Sequence, residues 1–189
     1  SNWGGYKNLP REVYQNPDGT LSTKFDVMAT KLLNKGKLLD LDNTNASGNN
    51  AVIETNKIEF LNEGRVNLIG QVGQTFTTFD LTLKGANKFN YIMNDGTTDY
   101  NIEIEESHDG NTYLRVHKNG TYKYTEYNFG KSPEKYSCKL VCHGSIVELC
   151  VNDKNVLSAR TQFNSPNNAY TPGFYANGAA SIENIEINR

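Results

Sequence analysis

Glu103 and Glu105, two residues apart, are the carboxylate pair in this 189-residue chain most open to acid–base chemistry. On a strand they share one face, with Cα atoms about 6.5–7 Å apart. That spacing suits the two carboxyl groups of a glycosidase. The run has no Asp between them and no third acid at longer spacing. Alternation with Ile102 and Ile104 accounts for the pair as a solvated outer face, and this is the preferred reading. His108, His117 and His143 fall at a turn, on a strand and at another turn, and form no motif. Asp40, Asp42 and Asn43 could offer oxygens to Ca²⁺. They lack the 12-residue loop and closing Glu of an EF-hand and read as strand-end solvation.

The cysteines are Cys138, Cys142 and Cys150, an odd number that excludes an even disulfide framework. Cys138 and Cys142 lie four apart on one strand, roughly 13 Å, too far to bridge. Cys142 and Cys150 lie on adjoining strands and could meet. Half-buried free thiols are the simplest account, and the spacing with His143 is not that of a zinc ribbon or finger. No metal or cofactor is called for. Ring stacking on sugars is open to Trp3, Tyr6, Tyr122, Tyr124, Tyr127 and Tyr170. Tyr122 and Tyr124 share a strand face and make a workable platform. The carbohydrate-binding candidates are Tyr122, Tyr124, Trp3 and Tyr6.

The elements that would position these residues are strands. Val147, Leu149 and Val151 alternate with Glu148 and Cys150, as Phe79, Leu81 and Leu83 do with Asp80 and Thr82. Strands are expected at 37–41, 50–54, 57–61, 65–72, 75–84, 88–93, 99–105, 112–117, 121–129, 136–142, 145–151, 156–163, 173–176 and 179–187. Val27–Leu33 could be a helix or a strand. Turn signals at Asn94-Asp95-Gly96, Asp109-Gly110-Asn111 and Lys118-Asn119-Gly120 recur about every 8–12 residues. So many strands exceed one flat sheet and predict an all-β, two-sheet antiparallel β-sandwich of concanavalin A-like or jelly-roll type. Residues 1–20 read as a linker or entry segment and 21–189 as the sandwich domain.

Composition agrees. Aromatics make up 11%, with 11 Tyr against 1 Trp, alongside 16 Gly, which suits a turn-rich β protein. A net charge of −2 gives no electrostatic reason to expect nucleic acid or an anionic membrane. No run of 18 apolar residues spans a membrane. A start at Ser-Asn-Trp without Met fits a processed or excised piece. Cysteine usage does not fix the compartment. An extracytoplasmic setting is favoured over the cytoplasm.

The stretch HGSIVELCVNDKNVLSAR, followed by PGFYANGAASIENIEI, resembles the end of the C-terminal β-sandwich of glycoside hydrolase family 32, the invertase, levanase and inulinase family. The matching positions are Gly144, Ser145, Val147, Glu148, Val151, Asn152, Arg160, Gly173 and Gly178. Leu9-Pro10-Arg11-Glu12-Val13 resembles the run with which that family enters its sandwich. His143 stands where the family has Asp and Cys150 where it has an aromatic, so this is a divergent member.

The resemblance implies an accessory, non-catalytic domain of a fructan-type glycoside hydrolase. Its partner would be an N-terminal five-bladed propeller carrying the catalysis, with an oligo- or polysaccharide as a further partner. The propeller's Arg-Asp-Pro and Glu-Cys motifs are absent, and Asn16-Pro17-Asp18-Gly19 is a turn rather than the nucleophile run. Arg11, Glu12 and Glu148 would line the seam between the domains. Arg11 is expected to point toward the partner, so that Arg11→Ala costs little in the chain alone. Glu148 is expected to face outward or to hydrogen-bond near the seam. The alternatives are a free-standing lectin-like carbohydrate-binding module and, third, a sandwich-fold glycosidase using Glu103 and Glu105.

Overall fold

A computed structural model describes residues 8–189. The strands are β1 (Arg11–Gln15), β2 (Leu21–Phe25), β3 (Leu38–Leu39), β4 (Ala46–Gly48), β5 (Ala51–Glu54), β6 (Lys57–Phe60), β7 (Gly64–Leu68), β8 (Thr75–Leu83) and β9 (Lys88–Asn94). They continue with β10 (Asp99–Glu106), β11 (Asn111–Lys118), β12 (Tyr122–Lys131), β13 (Tyr136–His143), β14 (Ile146–Val151), β15 (Asn155–Arg160), β16 (Thr171–Ala176) and β17 (Ala180–Asn188). One helix, α1 (Val27–Leu33), follows β2. A seven-stranded sheet runs β12-β11-β10-β9-β16-β7-β4. An eight-stranded sheet runs β15-β14-β13-β8-β17-β6-β5, with β3 also paired to β17. All strand pairs are antiparallel, and the chain is the two-sheet sandwich expected from the alternation.

Period-2 patterning builds the core directly. Phe79, Leu81, Leu140, Leu149 and Ile182 from the eight-stranded sheet meet Phe89, Tyr91, Ile102, Ile104, Leu114 and Phe174 from the seven-stranded one, all buried. Each such side chain contributes about 1.5–3 kcal/mol of burial. Phe79 and Tyr91 both set their rings edge-on to Phe174, at centroid distances of 6.1 and 5.4 Å. This cluster ties the centre of one sheet to the other.

Three local outcomes depart from or decide the sequence reading. β7 ends at Leu68, short of the expected 72, because Gly70 takes φ +96° and leaves Ile69 exposed. Val72 rejoins only as a single bridge to Tyr170. Val27–Leu33 is a helix because Asp26 caps it, its carboxylate accepting from the N–H groups of Met28 and Ala29 at 2.9 and 3.1 Å. Cys142 and Cys150 do not meet. Cys142 packs in the main core, whereas Cys150 sits on the opposite face of its sheet with Phe25, Phe76 and Val141. Burial pushes both thiols up to about 11, so they behave as small apolar groups.

Residues 11–25 form a hairpin, β1 with β2, that straddles position 20. It lies against β15 and the outer side of the eight-stranded sheet. The Thr23 N–H donates to the Lys154 carbonyl at 3.1 Å, and Phe25 packs onto Phe76 and Val141. Within residues 8–15, Leu9 packs on the same cluster and the Tyr14 hydroxyl donates to the Asp153 carbonyl at 2.5 Å, whereas Val13 stays exposed.

Candidate functional site

Strand register lays out the outer face of the seven-stranded sheet in rows. One row reads Glu126, Arg115, Glu103, Asn90, Tyr175 and Arg65 across β12, β11, β10, β9, β16 and β7. The next reads His117, Asn101, Ile92, Gly173 and Asn67. Only glycine fits at 173, since a Cβ would lie 2.7 Å from the Asn67 Oδ1 and 3.3 Å from Ile92.

Glu103 and Glu105 share this face, as their spacing predicts, but Glu103 is buried rather than solvated. The Arg115 Nη1 donates to Glu103 at 2.9 Å and also to Glu105, while its Nε donates to Glu126. The Gly120 N–H donates to His117 Nδ1 at 3.0 Å, which makes Nε2 the protonated nitrogen of the neutral ring. That Nε2–H donates to Glu103 at 3.2 Å. Burial by itself raises the Glu103 carboxyl. The hydrogen bonds from His117 and Arg115, with the Lys88 charge, outweigh it and hold the group below its ordinary value. A glycosidase acid needs the opposite shift. Glu103, Glu105 and Glu126 thus form an ion cluster around Arg115.

At the other end of the row the Arg65 guanidinium grips Asp99 with two bonds, 2.6 and 3.1 Å, and its Nε donates to Asn67 at 2.8 Å. Reaching β10 from β7 takes this side chain diagonally over the row of Gly173 and Ile92. Next to it, the Tyr175 hydroxyl donates to Glu63 at 2.8 Å. An open hollow of about 580 Å³ lies here, lined by Asn49, Asn50, Asn62, Glu63, Arg65 and Tyr175. Asn90, in the middle of the row, is 8% exposed, and its Oδ1 has no hydrogen-bond partner.

The residues singled out from sequence fall elsewhere. Trp3 and Tyr6 lie outside the described residues. Tyr122 and Tyr124 do touch, but edge to face at 73°, so they form no flat platform. Tyr124 also packs toward the core beside Tyr100, leaving Tyr122 as the exposed ring at the β12 edge. Arg11 and Glu148 come together within the chain. Glu148 is buried, correcting the outward placement, and it accepts from Arg11 at 3.1 Å, from the Leu9 N–H at 2.8 Å and from Ser158 at 3.0 Å. Arg11 thus pairs within the chain, with its side chain 29% exposed. Glu12 stays exposed, 3.5 Å from Lys24. Asp42 is spent on its own turn, accepting from the Thr44 N–H and hydroxyl at 2.7 and 2.5 Å. Among the described residues no cluster of His, Cys, Asp and Glu could hold a metal ion.

Sequence reasoning missed Asn90, Tyr175, Arg65 and Arg115. The alternation of Lys88, Asn90, Ile92 and Asn94 was the available signal for a polar outer face. Which side chains oppose one another depends on a register that no single strand encodes.

Fold and face together define a two-sheet, concanavalin-like β-sandwich with a polar outer face on its seven-stranded sheet. No family sequence model and no curated protein sequence matches the chain. Solved structures do match it. A carbohydrate-binding module, CBM66 from Bacillus subtilis, aligns over 80% of this chain and 95% of its own, with TM-score 0.54 and 16% identity. A β-fructofuranosidase of Aspergillus kawachii aligns over 95% of this chain with TM-score 0.63 and 12% identity. A fructosyltransferase of A. japonicus does so over 95% with TM-score 0.60 and 12% identity. This chain spans only 33% and 31% of those two proteins. At the level of fold, the family 32 resemblance of residues 9–13 and 143–187 therefore stands: the chain has the C-terminal sandwich fold of such enzymes.

Proposed function

We infer that the chain is a non-catalytic accessory β-sandwich of a fructan-type glycoside hydrolase, supporting an upstream catalytic domain and contacting glycan. The observation that carries this reading is one of proportion. The fold accounts for 95% of this chain but about a third of the fructofuranosidase, so in that enzyme it serves beside a larger partner. Two features of the chain support it. Glu103 and Glu105, the pair singled out for hydrolysis, are bound to Arg115. Six of the ten most exposed large apolar side chains among the described residues lie between positions 13 and 38, on the hairpin, α1 and β3. Val13, Leu21, Met28 and Leu32 are 61–69% exposed, and exposed apolar surface of this kind marks a contact with another body.

The test compares this chain with a longer protein that carries it behind a catalytic domain. Leu21→Ser and Met28→Ser leave melting of the chain alone unchanged and split the longer protein's single transition in two. Equal effects in both would remove the docking role. Reducing-sugar release from fructans and β-glucans should be absent, and release that disappears in Glu105→Gln would instead favour the glycosidase reading. The match to nearly the whole length of CBM66 favours, as the second reading, a free-standing carbohydrate-binding module. That reading predicts no effect of the two Ser substitutions in any context.

A further inference from the structure

We propose that the hollow beside Tyr175 is a binding site for a neutral oligosaccharide, and that Asn90, outside the hollow's lining but next to Tyr175 on the neighbouring strand, becomes a hydrogen-bond acceptor for it once Lys88 moves. The inference rests on reading the chain as a carbohydrate-associated sandwich and moves the sugar site from Tyr122 and Tyr124 to the opposite edge of the same sheet. The hollow's about 580 Å³ falls within the range of small-molecule sites. Its chemistry selects the ligand. The Arg65 charge is already met by Asp99 at 2.6 Å, and Glu63 adds a carboxylate, so a phosphate, sulfate or uronate finds no free cation. Asn49 accepts from the Arg65 N–H at 2.9 Å and Asn50 donates to the Glu63 carbonyl at 2.7 Å, and the amide lone pairs and protons that these bonds leave over, with those of Asn62, match the donor–acceptor pattern of sugar hydroxyls. The Tyr175 hydroxyl donates to Glu63 at 2.8 Å and so steadies the ring as one wall, against which the C–H face of a sugar can stack.

Asn90 supplies an independent observation. It neighbours Tyr175 across the sheet, with Lys88 and Ile92 along its own strand and Glu103 on the other side. Its Oδ1 is buried without a donor, an arrangement that destabilises the fold unless something supplies one. Lys88 is the neighbour best able to yield. Its ammonium sits 3.8 and 3.5 Å from Glu103 and Glu105, beyond hydrogen-bond length, and its side chain is partly exposed. With Lys88 swung aside, a hydroxyl of a sugar held against Tyr175 donates to the Asn90 Oδ1.

Native gels containing inulin, levan, soluble starch or polygalacturonate test this, with the protein's migration as readout. Retardation by at least one neutral polysaccharide and none by polygalacturonate is expected. Tyr175→Ala weakens it about tenfold, equivalent to roughly 1.4 kcal/mol. Asn62→Trp, which fills the hollow from an exposed loop position, abolishes it without touching the core. Asn90→Leu weakens it while raising the melting temperature by about 2–4 °C, because an orphaned polar group is gone. Tyr122→Ala leaves it unchanged. Retardation that survives both Asn62→Trp and Asn90→Leu, that is lost with Tyr122→Ala, that occurs only with polygalacturonate, or that never occurs overturns the inference. None of these outcomes bears on the accessory role, which the Leu21 and Met28 variants test separately.

Discussion

Removing the Arg11 side chain probes how the entry segment is fastened to the sandwich. Glu148 is 1% exposed, and Arg11 is its only cationic partner among the described residues. Stripping one member from a buried pair costs about 3–5 kcal/mol, since the remaining charge stays desolvated. Two facts reduce that here. The Leu9 N–H and the Ser158 hydroxyl still donate to the carboxylate, at 2.8 and 3.0 Å. The Arg11 side chain is 29% exposed, so water can enter where it was. The expected loss for Arg11→Ala is therefore about 2–3 kcal/mol. For a chain of this length it lowers the melting temperature by about 4–12 °C. Urea melts of four proteins decide the cause: parent, Arg11→Ala, Glu148→Gln and the double variant. With Glu148 neutral no buried charge is orphaned, so Arg11→Ala should then cost at least about 1.5 kcal/mol less. The same cost in both backgrounds would mean that Arg11 acts by packing and through Ser158 and Val156, and the charge argument would fail.

Further outcomes follow from the geometry. The Glu103 carboxyl lies below its ordinary 4.5 in the folded state, so the stability it contributes is present above that pH and fades as pH falls further. Acid denaturation curves should show a loss setting in below about pH 4.5 that is shallower in Glu103→Gln. Gly173→Ala should destabilise the fold by about 1–3 kcal/mol in a thermal melt, because its methyl would press on the Asn67 oxygen that receives the Arg65 Nε. All three thiols should resist an aromatic disulfide reagent in the native protein and react in denaturant, as expected of buried cysteines.

Much of the fold was legible because alternation is local. Phe79, Leu81 and Leu83, or Val147, Leu149 and Val151, declare their buried face without help from other strands. What stayed hidden was relational. Glu148 sits in an apolar strand, and its burial is intelligible only once the hairpin brings Arg11 across 137 residues to meet it. Glu103 reads as a solvated residue until register sets Arg115 and Lys88 around it. The same holds for Asn90, Tyr175 and Arg65, which lie far apart in sequence and become one row only through β9, β16 and β7. Spacing alone puts Tyr122 and Tyr124 on one strand face as a platform, but ring orientation is not encoded in spacing, and the two rings meet edge to face.

The proposed role is that this sandwich engages sugar without transforming it. Titrating the isotopically labelled chain with an inulin-type fructo-oligosaccharide, while following both amide shifts and the sugar's own resonances, tests it most directly. Saturable shifts confined to β7, β9, β16 and the loop at Asn62 are expected, with the sugar spectrum unchanged in time. Free fructose resonances growing during the titration, or shifts centred on Tyr122 at the β12 edge, would contradict it.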